Sequence, residues 1–249
     1  MNPTGSTDLG PVDHARPCAG SAPQRATRQA DRALRLLVDA PPPVADRDRT
    51  RLAAALERHL RVRDDQRHLV HSQPDPLLVA AAWRYVRLPD EVVDERLQML
   101  WAPYAASGSR RLFGDDDLRT LQALRWLAVL LDADNQLTRA GQLYEQVADA
   151  YRRGGEPLMM LCTQADLAIN LHRRGHCTVA CTTAQAAWDL WRQQHRDRPD
   201  AGRPILFCLT VALRGCGDLD VLETVRRQAD DAAIAVPAAG DYGDRKSVV

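Results

Sequence analysis

The sequence predicts an all-α protein in which antiparallel helix pairs stack side by side as an α-solenoid. Three observations predict it. First, one motif recurs nearly three times: LQALRWLAVLLDADNQLTRAGQLYEQVADAYRR from Leu121, LCTQADLAINLHRRGHCTVACTTAQAAWDLWRQ from Leu161, and RPILFCLTVALRGCGDLDVLETVRRQADDAAIA from Arg203. Aligned on a polar hinge at Asn135, Gly175 and Gly217, the copies lie 40 and 42 residues apart. Second, apolar positions flank each hinge at helical spacing. Before it come Leu127/Ala128/Leu131, Leu167/Ala168/Leu171 and Leu209/Thr210/Leu213; after it come Leu137/Ala140/Val147, Cys177/Ala180/Ala187 and Leu219/Leu222/Ala229. Offsets of three, four and seven place side chains on one stripe of a helix. Third, small residues (Ala128, Ala140, Ala168, Ala180) stand where two antiparallel helices must approach closely, and Gly175 and Gly217 suit a turn that needs positive φ. A single such hairpin cannot bury its own apolar face, so its neighbours must cover it.

This pattern resembles the tetratricopeptide (TPR) repeat. The usual unit is about 34 residues, and the longer period here is similar to bacterial repeats of the kinesin-light-chain type. The resemblance covers roughly half of the chain. It implies a right-handed superhelix and says little about chemistry.

The bounds agree with that reading. A chain of 249 residues suits one large or two small domains. Its 33 basic and 33 acidic residues cancel, which gives no electrostatic case for nucleic acid or a membrane surface. No apolar run approaches the roughly 20 residues of a membrane span. The N-terminus lacks a secretory layout. Six irregularly spaced cysteines read as reduced thiols, so the cytoplasm is the expected compartment.

In chain order, residues 1–23 are rich in Gly, Pro, Ser and Thr and are expected to form a disordered tail holding Cys18. Residues 24–115 form a helical N-terminal region. Its first helix spans Gln24–Val38 and is stopped by Pro41, Pro42 and Pro43. The second, from Asp48 to about Val70, carries Leu52, Leu56, Leu60 and Val62. After a break at His71–Pro76, helices are predicted at Leu77–Arg87 and Asp90–Ala102, with Asp90 as N-cap and Pro103 bending or ending the second. This pair reads as a degenerate further repeat, because Leu97 and Trp101 fall 43 residues before Ala140 and Tyr144. The stretch RRLFGDDDLRTL, from Arg110 to Leu121, reads as a connector and resembles that of long-period repeats. Residues 116–235 hold the clear repeats, with Pro157 and Pro204 in first-turn positions.

Residues 236–249 form a tail. Its last six residues, Asp244–Val249 (DRKSVV), match the translation of a common short-read sequencing adapter, and the only lysine, Lys246, lies there. The expectation is a gene cut short, and hence a fragment of a longer protein. A third repeat without a cap would leave an apolar face at Val221, Leu222 and Val225 uncovered and promote self-association.

No phosphate loop, dinucleotide fingerprint, zinc-protease motif or nucleophile elbow is present, so no catalytic residue and no cofactor is predicted. His172, His176, Cys177 and Cys181 contain i,i+4 pairs that would suit a metal on one continuous helix. The hinge at Gly175 separates them, and Cys177 and Cys181 align with Leu137 and Gly141, so packing around a wet turn is the reading and no metal is predicted. Cys162, Cys208 and Cys216 read as small core or interface residues. Asp115-Asp116-Asp117 lacks the alternation of a calcium loop and suits the N-terminus of a helix starting near Leu118. Arg152-Arg153 and Arg173-Arg174 suit helix C-termini, and Trp126, Trp188 and Trp191 read as core.

The TPR resemblance implies a concave groove lined by the first helix of each pair, which takes an extended peptide or a partner helix. Carried over by repeat position, it presents Gln122, Arg125, Val129 and Asp132, then Ala165, Ile169, His172 and Arg173, then Phe207, Val211 and Arg214. Val129, Ile169 and Val211 stand where a chaperone-binding clamp would have Asn, so a chaperone C-terminus is not implied. The expected function is a non-enzymatic protein-interaction scaffold. The alternative is a ligand-sensing arm of a bacterial signalling NTPase or transcription regulator, which an adjoining effector domain would distinguish.

Overall fold

The computed structural model describes residues 22–39, 45–64 and 73–232. Ten α-helices and no strand occur among the described residues: α1 (Ala22–Asp39), α2 (Asp46–Val62), α3 (Pro76–Val86), α4 (Glu95–Phe113), α5 (Leu118–Ala133), α6 (Leu137–Gly154), α7 (Pro157–Arg173), α8 (Cys177–Gln194), α9 (Pro199–Cys216) and α10 (Leu219–Asp231). From α3 onward each helix packs on the next in sequence, and α7 also packs directly on α9. Helices α1 and α2 pack on each other and both pack on α3. Serial packing of antiparallel pairs is the architecture of an α-solenoid. No described helix is long and apolar enough to cross a membrane.

The three aligned hinges share one geometry. Asn135, Gly175 and Gly217 have φ of 63°, 83° and 77°. At each, the amide after the hinge bonds a carbonyl five residues back: Gln136 to Leu131 at 2.8 Å, His176 to Leu171 at 2.9 Å and Asp218 to Leu213 at 3.0 Å. The hinge amides also bond carbonyls three residues back: Asn135 to Asp132 at 3.1 Å, Gly175 to His172 at 2.9 Å and Gly217 to Arg214 at 3.2 Å. This double closure satisfies the last carbonyls of the helix while the left-handed residue reverses the chain. Asn tolerates that region better than other side chains, which is why it can stand in for glycine at 135.

Most of the aligned apolar positions face inward, and Leu219 is the exposed exception. Ala128, Ala140, Ala168 and Ala180 are fully buried, as are Val147 and Leu209. One cluster of core residues runs through α1 to α6 and another through α4 to α10, and Trp83, Leu127 and Leu143 touch both. The core therefore crosses residue 115 without a break: Trp101, Ala102 and Ala105 of α4 share a cluster with Trp126, Ala128 and Leu131 of α5. The degenerate pair α3–α4 sits in the stack, and Leu97 and Trp101 are buried like Ala140 and Tyr144.

Several boundaries differ from expectation. Helix α1 starts at Ala22, inside the stretch expected to be tail, and α2 ends at Val62 rather than near Val70. Asp90 begins a single 3-10 turn, and the cap of α4 is Asp94, whose carboxylate accepts from the amides of Arg96 (3.0 Å) and Leu97 (3.3 Å). Pro103 does not end α4, which runs on to Phe113 through the predicted connector; Trp101, Ala102, Ala105 and Ala106 are buried on both sides of the proline, and their packing outweighs its missing amide bond. Gly114, at φ 96°, makes the break instead. Pro204 lies inside α9, because that helix begins earlier, at Pro199. Leu222 and Val225 are not exposed: with Ala229 they form the stripe by which α10 packs on the rest of the stack, leaving Leu219 and Val221 outside. The stretch before residue 22 with Cys18, the three prolines at 41–43, His71 and the tail with its DRKSVV terminus lie outside the described residues.

Candidate functional site

A cavity of about 500 Å³ opens where the first helices of four successive pairs converge. Helix α3 supplies Trp83 and, just past its end, Arg87; α5 supplies Leu118, Gln122, Arg125 and Trp126; α7 supplies Leu158, Met159 and Cys162; α9 supplies Asp200, Ala201 and Pro204. Glu156 and Arg198, in the turns before α7 and α9, form part of the rim. The N-terminal halves of α5, α7 and α9 therefore build most of the lining.

The charges in this cavity are largely committed. The Arg125 guanidinium meets Asp166 of α7 through Nε at 2.8 Å and Nη2 at 2.7 Å. Burial alone would lower its pKa, but the Asp166 carboxylate more than offsets that and holds it above its ordinary value. Arg198 pairs with Asp200 at 2.9 Å. Arg87 stacks on Trp83, 5.2 Å from the ring centroid, with no carboxylate on it among the described residues. Burial pushes the Cys162 thiol up to about 11, so it stays protonated and inert at neutral pH.

Of the residues predicted for the groove, Gln122 and Arg125 line this cavity. Val129, Ala165, Ile169 and Phe207 are buried in the stack between helices. Asp132 is buried too: it accepts from Asn170 Nδ2 at 2.8 Å and pairs with Arg173 Nη1 at 3.1 Å, joining α5 to α7. Val211 and Arg214 are half-buried on α9 and do not line the cavity. Alignment on the hinges marks the C-terminal ends of the first helices, whereas the opening lies toward the N-terminal ends of α5, α7 and α9. The prolines and Asp/Glu residues that start α7 and α9 were the available sequence signal.

A second constellation lies at the hinge end of the stack. His172 in the last turn of α7 and Cys177 at the start of α8 face each other across the Gly175 turn, with Cys177 Sγ 3.6 Å from His172 Nδ1. Cys216, the last residue of α9, brings its Sγ to 3.4 Å from the same nitrogen. The hinge that separates these residues along the chain is what folds them together. Cys216, expected as a small core or interface residue, is at an interface: α9 ends against the α7–α8 turn and leaves it half-buried in this group, while His176 is exposed and outside it. Cys181 lies one turn beyond Cys177 on α8, outside this group of three. Burial, reinforced by the two neighbouring thiols, pushes the Cys216 thiol up to about 12.

No protein-family model matches this chain, and no curated protein matches it by sequence. Solved structures do match it. Two crystal structures of nearly identical TPR-like repeats from Podosopora anserina, described as a kinesin light chain, superpose with TM-scores of 0.61 and 0.59 at 15% identity. The matches cover 86% of this chain and 96% and 97% of theirs. The fold is TPR-like. BtubC (BKLC) from P. vanneervenii superposes with a TM-score of 0.57 at 14% identity, over 86% of this chain and 92% of its own. These TPR-like structures share architecture with the chain; at such identities they carry no residue roles across.

Proposed function

We propose that this chain is a non-enzymatic TPR-like scaffold whose partner, a peptide or a helix of another protein, docks in the cavity between α3, α5, α7 and α9. The observation that carries this reading is the composition of that cavity. Its walls offer large apolar side chains (Trp83, Trp126, Leu158, Met159) and Arg87, the one lining arginine without a carboxylate on it among the described residues. A concave, mostly apolar surface with few convergent polar groups is the usual form of a binding site. The matching partner segment inserts an apolar side chain and places a carboxylate near Arg87, where contact with an aromatic-backed guanidinium is strong.

The test is selection of peptides on the full chain from a display library, followed by calorimetric titration of the selected sequences. Selected peptides should combine aromatic or aliphatic anchors with an acidic residue. Met159→Asp should weaken their binding by roughly tenfold or more, the scale of losing one buried apolar anchor. Leu100→Asp, at an exposed position on α4 outside the cavity, should leave it unchanged. Selected peptides that bind the Met159→Asp protein as well as the wild type would end this reading.

A further inference from the structure

We propose that His172, Cys177, Cys181 and Cys216 bind one zinc ion at the joint between the α7–α8 and α9–α10 pairs. The donor atoms come from three helix ends that the fold itself converges: the last turn of α7, the first turn and a half of α8, and the final residue of α9. The imidazole and the Cys177 and Cys216 thiols already have their donor atoms within 4.8 Å of one another. Zinc bonds of about 2.3 Å to sulfur and about 2.0–2.1 Å to nitrogen, set tetrahedrally, place N and S about 3.6 Å apart. The measured separations are 3.6 Å and 3.4 Å. Cys181 follows Cys177 by one turn on the same face of α8; it stands outside the three donors that already converge and takes the fourth position of a Cys3His set.

Gly215 fixes the ring that makes this possible. A Cβ there would lie 2.3 Å from His172 Nε2 and 2.5 Å from Cε1, so the imidazole rests on the α9 backbone in space a side chain would fill. With Nε2 against α9, Nδ1 is left facing the thiols.

The preceding joint shows what the metal replaces. There, Asp132 ties α5 to α7 through Asn170 and Arg173. Counted from the hinges, His172 stands where Asp132 does, and Ala212 and Gly215 stand where Asn170 and Arg173 do. The ion pair and amide clamp are thus absent at the later joint, and a thiol-imidazole cluster occupies the same place in the stack. Cys216 aligns with Arg174, and Cys177 and Cys181 align with Leu137 and Gly141, so the repeat pattern itself does not demand these donors.

Three thiols and an imidazole are a soft donor set that favours zinc over magnesium or calcium. On binding, the three thiols release their protons to solvent, and the thiolate and Nδ1 lone pairs fill the four positions around Zn²⁺. All four side chains are half-buried, so an ion can enter from solvent and be shielded once held.

The test is a titration of the full chain, reduced and freed of metal, with Co²⁺ and then Zn²⁺. One cobalt per chain is expected, with the visible absorption of a tetrahedral site and sulfur-to-metal charge transfer, both abolished by zinc. His172→Gln, Cys177→Ser, Cys181→Ser and Cys216→Ser should each weaken cobalt binding by about tenfold or more. Cys162→Ser and Cys208→Ser should not. Gly215→Ala keeps every ligand, yet should weaken binding by turning the ring. Circular dichroism establishes that each variant is folded before it is titrated. A folded, reduced wild-type chain with no saturable tetrahedral cobalt spectrum, or an undiminished spectrum in any of the four ligand variants, overturns the proposal.

Discussion

The Arg125–Asp166 pair gives the sharpest prediction about what holds successive repeats together. It joins α5 to α7 with both side chains largely withdrawn from water, at 6% and 15% exposure. Asp166→Ala leaves the Arg125 guanidinium in the stack without its carboxylate. Removing one partner of a buried ion pair costs about 3–5 kcal/mol. Residual exposure of Asp166 lets water reach the orphaned cation, which favours the lower end, about 3 kcal/mol. For a chain of this size that lowers the melting temperature by about 6–12 °C. Scanning calorimetry of the single variant checks the figure. The double variant Arg125→Met, Asp166→Leu should recover most of the loss, because an apolar pair of similar volume carries no desolvation penalty. A single variant within about 1 kcal/mol of wild type, or a double variant as unstable as the single, would refute the reasoning.

Two further outcomes follow from individual side chains. Gly108→Ala, although favoured by helix propensity, should destabilise the chain by about 1–2 kcal/mol, because the new Cβ would lie 2.4 Å from the Val79 Cγ2 of a stiff β-branched side chain; urea denaturation measures it. Asp117 caps α5, and hydrogen bonds from the Arg119 side chain and then its backbone amide hold the Asp117 carboxyl at about 2. Its folded pKa lies below the unfolded value of about 3.9, so its contribution is present above about pH 4 and is lost as pH falls through about 2. Asp117→Asn keeps a capping side chain but removes the titration, and should flatten the acid limb of melting temperature against pH; coincident acid limbs would contradict this.

Much of the fold was legible because local signals repeated. Three hinges with matching offsets specify three helix pairs, and Asn135, Gly175 and Gly217 all adopt the left-handed conformation their alignment required. Boundaries failed where tertiary packing overrode a local breaker, as at Pro103, where an earlier proline started the helix, as Pro199 does ahead of Pro204, or where two acidic residues offered one cap, as Asp90 and Asp94 did. The cavity was legible only in part. Periodicity says which face of a helix is apolar, but not whether a given residue is covered by the next repeat, so Ala165 and Ile169, expected in the groove, are buried between helices. The joining of Cys216 to His172 spans 44 residues and depends on how α9 ends against the α7–α8 turn, which no single repeat encodes.

The central claim is that a partner occupies the cavity between the first helices, and fluorine spectroscopy tests it most directly. The chain has five tryptophans, of which Trp83 and Trp126 line the cavity while Trp101, Trp188 and Trp191 are fully buried. With 5-fluorotryptophan incorporated and a display-selected peptide titrated in, the resonances of Trp83 and Trp126 should shift together and saturate with the calorimetric affinity, while the other three stay in place. Saturable binding that leaves Trp83 and Trp126 unmoved would contradict the account.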